Sequence, residues 1–159
     1  MSEEEKSGDS LQYPTGRQFL TIGFGDYYDK SGDLPDLAVV AEENKKFESI
    51  FKDFKFDNVE RFPRAAKMHT SLKAVQTKIK AMLDNNTSFP GMLTVNVIVF
   101  NGHGFRHVNG DPIFVIPDLK GDTLEFLNAM DLAHEMASHR NTLNLLILNF
   151  CNNDLPLAV

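Results

Sequence analysis

The spacing of apolar and polar positions changes period several times along this chain. Gln18 to Phe24 is a short run of strand-favouring residues, and Gly25 to Pro35 is rich in turn formers. From Asp36 to Phe54 the period is helical. Leu37, Val40, Phe47, Ile50, Phe51 and Phe54 form one apolar stripe, with Glu42, Glu43, Lys45 and Lys46 toward water. Phe56 to Phe62 alternates as a second strand and is stopped by Pro63. Ser71 to Leu83 is a second amphipathic helix, with Thr70 as its N-cap and Leu72, Val75, Ile79, Met82 and Leu83 inward. Leu93 to Phe100 is the next strand, and its unbroken run Val97-Ile-Val-Phe100 predicts burial on both faces. Asn109-Gly110 predicts a hairpin between Phe105–Val108 and Ile113–Ile116. Leu124 to His139 predicts a third helix, with Phe126, Leu127, Met130, Leu132, Ala133 and Met136 supplying apolar surface. Leu143 to Phe150 is the last strand.

Strands that alternate with helices in this way predict an α/β fold, a mostly parallel sheet with helices on both faces. Residues 1–15 carry few apolar groups and read as a disordered acidic leader, which leaves 16–159 as one domain. Hydrophobic residues make up 42% and charged residues 24%, an ordinary globular mixture. The net charge of −6, with no basic cluster denser than Lys45-Lys46, argues against nucleic acid or an anionic membrane as partner. No apolar run is long enough to span a bilayer, and the polar amino terminus is not a signal peptide. A single cysteine makes no internal disulfide, which fits a reducing, cytoplasmic setting and excludes zinc sites built on several thiolates.

The chemistry sits at two strand ends. Gly102-His103-Gly104 follows the central strand, where two glycines permit a sharp turn and leave an imidazole at the strand's carboxyl end. Cys151 follows the last strand in the same way. Ligands of open α/β sheets bind outside the carboxyl ends of strands, so His103 and Cys151 can meet in one crevice. A Cys–His pair suits nucleophilic acyl transfer: the thiolate attacks a carbonyl and the imidazole handles protons. The backbone N–H groups of Gly104 and Cys151 are the natural oxyanion donors. His69, His107, His134 and His139 read as solvated or packing residues; His134 and His139 are spaced five apart, which does not pair them on a helix. Asp26, Asp118 and Asp122 read as loop carboxylates. No metal and no cofactor is expected.

Phe100-Asn-Gly-His-Gly-Phe105 resembles the histidine motif of the caspase-like cysteine peptidases: caspases, metacaspases and paracaspases. Leu145-Leu-Ile-Leu-Asn-Phe-Cys151 is similar to their strand leading to the nucleophile. Cys151 lies 48 positions after His103, close to the roughly 50 expected of caspases. Asn109-Gly-Asp-Pro-Ile-Phe-Val-Ile-Pro-Asp118 is similar to the hairpin segment of metacaspases and paracaspases. Phe19 to Tyr28 and Glu42 to Phe56 are similar to the family's first strand and helix. The resemblance spans about residues 18–153. It implies a caspase-like three-layer sandwich, with His103 as catalytic histidine, Cys151 as nucleophile and Gly104 as oxyanion donor. Substrates would be extended peptides or proteins cut after a chosen P1 residue, with Asn149 and Asp26 as candidate substrate-binding residues.

The chain departs from the family pattern at three points. Asn149-Phe-Cys-Asn-Asn153 stands where caspases carry Gln-Ala-Cys-x-Gly, and Asn149 replaces the Asp of metacaspases and paracaspases. No arginine lies between Arg17 and Arg61, where caspases place part of an aspartate-binding pocket. The chain stops where the family's large subunit ends. The resemblance therefore implies a small-subunit-like partner chain, or self-association through an uncovered sheet edge. An inactive caspase-like module working by protein–protein interaction is the alternative expectation.

Overall fold

The computed structural model describes residues 16–27, 34–65, 70–85, 93–118 and 123–150. The acidic leader, His69, Asp122 and Cys151 lie outside the described residues. Four strands form the central sheet: β1 (Gly16–Gly23), β2 (Asn58–Phe62), β3 (Thr94–Gly102) and β7 (Thr142–Phe150). Their order is β2-β1-β3-β7, and every neighbouring pair is parallel. A small antiparallel sheet, β4 (Gly104–Arg106), β5 (Pro112–Asp118) and β6 (Thr123–Asn128), sits beside it. Three helices complete the described chain: α1 (Val40–Asp53), α2 (Leu72–Asp84) and α3 (Ala129–Ser138). The expected α/β fold with a parallel central sheet is present.

Side-chain alternation divides the central sheet into two faces. Phe19, Val97 and Val99 point to α1, where Phe47 and Phe51 meet them, and Phe19 stacks on Phe51 with ring centroids 4.0 Å apart. Leu20, Ile22, Ile98 and Phe100 point the other way, into the larger core formed with α2, α3 and the small sheet. Val97 through Phe100 are all buried, as a strand covered on both faces requires.

Several elements differ from the sequence expectation. Helix α1 starts at Val40, not Asp36, because residues 35–37 are tied back to the end of β1. Leu37 N–H donates to Gly25 O at 2.7 Å, and Asp36 Oδ1 accepts from Tyr27 N–H at 2.8 Å. Its inward stripe runs Val40, Asn44, Phe47 and Phe51, whereas Ile50 and Phe54 are 45% and 63% exposed. A polar residue occupies the stripe because Asn44 Oδ1 accepts from Thr21 Oγ1 of β1 at 2.8 Å. Helix α2 is capped by Ser71, whose Oγ accepts from Ala74 N–H; Thr70 instead donates to Pro117 O at 2.6 Å. The largest departure is residues 123–128, which are strand rather than the first turns of α3. They pair with β5 over six positions, and Asn128 then caps α3 by accepting from Met130 N–H at 2.8 Å. Phe126 and Met130, expected inward, are 48% and 41% exposed.

Candidate active site

The register of the central sheet brings the two motif-bearing strand ends side by side. Strands β3 and β7 are neighbours, paired from Thr94↔Thr142 to Gly102↔Phe150. The last pair comprises the residues immediately before His103 and Cys151. Gly104 approaches the same place from the other side: a Cβ there would collide with the Phe150 ring, so a glycine is needed for this contact.

His103 is half-buried and held at three points. Its N–H donates to Tyr27 Oη at 2.8 Å, and its C=O accepts from Val115 N–H at 3.0 Å. The imidazole meets the Tyr27 ring edge-on at 4.5 Å, and Nε2 lies 2.7 Å from the Pro35 carbonyl. A carbonyl oxygen only accepts, so Nε2 carries the proton and donates it. In the neutral ring Nδ1 is then the acceptor, the position that can take a proton from a nucleophile. A backbone carbonyl thus orients this histidine where other sites use a carboxylate.

Gly102 makes the arrangement possible. Its φ is +152°, and a Cβ would stand 2.5 Å from Tyr27 Oη and 3.0 Å from Phe24 O. Tyr27 is 4% exposed, and that burial pushes its phenol far above the ordinary tyrosine range, against the opposing pull of the His103 N–H. Tyr27 and Pro35 hold His103 in place and are not among the candidates the sequence offers. Their sequence signal is only a turn-rich loop after the first strand.

Asn149 does not stand alone at the strand end. Its amide donates to Asn101 Oδ1 at 3.1 Å and reaches Glu43 Oε2 at 3.5 Å. Asn101 in turn donates to Asn44 Oδ1 at 3.4 Å. This polar chain lies on the α1 side of the sheet and brings Glu43, expected to face only water, beside Asn149. Asp26 is exposed and lines a cavity of about 280 Å³ with Gly23–Gly25, Asn44, Lys45, Arg61 and Arg64 at the ends of β1 and β2. His103 and Asn149 do not line that cavity. Arg61, on its rim, is paired with Glu48 at 3.3 Å.

His107 lies in the hairpin turn with Nδ1 3.0 Å from Asn109 Oδ1, His134 is on the exposed side of α3, and His139 is that helix's C-cap. Asp118 closes β5, opposite Thr123. Among the described residues no helix is long and apolar enough to cross a membrane. The fold and site define an α/β protein with a histidine-bearing turn at the carboxyl end of a parallel sheet. A scan against models of protein families finds no match to this chain, and a search among curated proteins finds none either.

Proposed function

We propose that this chain is a cysteine endopeptidase of the caspase-like group, with Cys151 as nucleophile and His103 as its proton acceptor and donor. The observation that carries the reading is the register pair Gly102↔Phe150, which ends one residue short of both. The Nε2–Pro35 contact supports it, because it leaves Nδ1 available as base. Cys151 gives its proton to His103, and the thiolate attacks the scissile carbonyl. His103 returns the proton to the departing amine, and water then hydrolyses the thioester. Backbone N–H groups of Gly104 and Cys151 would face the oxyanion.

The pairing of Glu43 with Asn149 favours a cationic P1 side chain, since a carboxylate stands beside the residue that would line that pocket. The test is cleavage of a P1-scanning peptide library, with Cys151→Ala as control and iodoacetamide alkylation alongside. Cutting that disappears in Cys151→Ala, prefers Lys or Arg over Asp, and accompanies a thiol more reactive than a free cysteine is the expected result. A folded chain with an unreactive Cys151 and no cysteine-dependent cutting overturns the reading. One observation, that β7 pairs only with β3 among the described residues, favours the alternative of a module that works by binding other chains, and that outcome would leave it standing.

A further inference from the structure

The two edges of the central sheet are built differently. Strand β2 is short, carries Glu60 and Arg61, and runs into Pro63, which are the ordinary devices that keep an edge from pairing with another chain. Strand β7 has none of them. Its nine residues, Thr-Leu-Asn-Leu-Leu-Ile-Leu-Asn-Phe, include no charged residue, no proline and no glycine. Among the described residues it pairs only with β3, so one row of backbone N–H and C=O groups faces outward along its whole length.

Its side chains are uncovered on one face only. Leu146, Leu148 and Phe150 pack into the larger core, while Ile147 joins the small cluster under α1. By alternation Leu143 and Leu145 share the α1 face with Ile147. Helix α1 sits over β2, β1 and β3, and it leaves Leu143 and Leu145 60% and 50% exposed. Two exposed leucines beside an unpaired, uncharged edge call for a partner strand.

We propose that this partner is the β7 strand of a second copy, antiparallel, about a two-fold axis that passes through Leu145. A two-fold perpendicular to the sheet keeps the α1 faces of both copies on one side, so the uncovered leucines meet. Residues directly opposite in an antiparallel pair share a face. With the axis at Leu145, Leu145 faces Leu145 of the second copy, and Leu143 faces Ile147 on both sides of it. The uncovered face of the seam is then aliphatic at every pair. Moving the axis to Leu146 would set Leu143 against Asn149, whose amide is already bonded to Asn101. The Leu145 register is thus the one that sets all three aliphatic residues of this face, Leu143, Leu145 and Ile147, against one another; an axis at Asn144 would set Ile147 against Asn141. The pairing uses residues 142–148 and leaves Phe150, Gly104 and His103 outside the seam, so it stands whether or not the chain is a peptidase.

The test is sedimentation velocity on the full chain over a concentration series, with Leu145→Lys and Val108→Lys compared. Val108 is 97% exposed on the hairpin and serves as a control for lost apolar surface. The expected result is a reversible dimer that Leu145→Lys weakens at least about tenfold, by setting two ammonium groups opposite each other, and that Val108→Lys leaves intact. Register is read by oxidation in a Cys151→Ala background, where Leu145→Cys should form an intermolecular disulfide faster than Leu143→Cys. This pair also decides the matter if the lysine variant loses its circular dichroism signature. A monomer at every concentration, a dimer indifferent to Leu145→Lys, or faster cross-linking at 143 would overturn the proposal. The first of these would mean that another segment covers the edge.

Discussion

Replacing Tyr27 by phenylalanine removes one oxygen from the centre of the His103 turn and leaves the ring in place. That oxygen accepts the His103 N–H at 2.8 Å, and the residue is 4% exposed, so water has little room to substitute for it. Leaving a donor without its acceptor at such a site costs about 1–2 kcal/mol. For a chain of this size that corresponds to a fall in melting temperature of about 2–8 °C. The pH dependence distinguishes this hydroxyl from general packing. Burial holds the folded phenol protonated above the ordinary value of 10.0, so above that pH the unfolded chain has lost a proton that the folded chain keeps. Stability contributed by the protonated phenol is full below the unfolded pKa and declines as pH rises toward the folded one. The gap between wild type and Tyr27→Phe should therefore be constant near neutral pH and narrow above about pH 10. Thermal unfolding followed by circular dichroism reads both quantities, and nitrogen NMR of the His103 ring reports whether Nε2 keeps its proton. A variant that melts with the wild type, or a gap that does not change between about pH 8 and pH 11, would refute the reasoning.

Other consequences are open to direct measurement. Gly104→Ala drives a methyl into the Phe150 ring; urea unfolding should show a loss of about 1–3 kcal/mol, and alkylation of Cys151 should change with it. Glu60 is held below the ordinary carboxylate range: burial opposes this, but the Lys78 ammonium, the Asn58 amide and Arg64 outweigh it. Its contribution, about 0.5–1 kcal/mol, is present above the unfolded carboxylate pKa and is lost as pH falls through the folded one. Glu60→Gln should thus differ from wild type at neutral pH and converge with it in acid. On α1, Phe51→Ala should cost at least about 2 kcal/mol because the ring stacks on Phe19, whereas Phe54→Ala should stay within about 0.5 kcal/mol. Equal costs would mean that the stripe has been assigned to the wrong side of the helix.

Much of this arrangement was legible from local patterns. Strands β1, β3 and β7 and helix α2 were found within a few residues, because each is a strong run whose period is set by its own sequence. The stretch 123–128 reads as helix in the sequence because its residues satisfy a helical stripe nearly as well as an alternating one. What decides it is the open edge of β5, which lies outside the segment altogether. The same reason explains α1. Asn44 breaks the apolar stripe in the sequence, and only its bond to Thr21 shows that it belongs inside.

For the site the division is sharper. The sequence shows that a glycine-flanked histidine and a cysteine each follow an apolar strand, since residue types and their order along the chain require no folding to read. It also determined that the sheet would be parallel, because helices separate its strands. Packing of the layers sets β3 and β7 side by side in a register ending at Gly102 and Phe150. It also places a carbonyl 68 residues before His103 to accept the hydrogen bond from Nε2, sets Tyr27 against the turn, and brings Glu43 beside Asn149. Those facts are distances between residues far apart in the chain. They follow from how whole layers pack, and no local period encodes them.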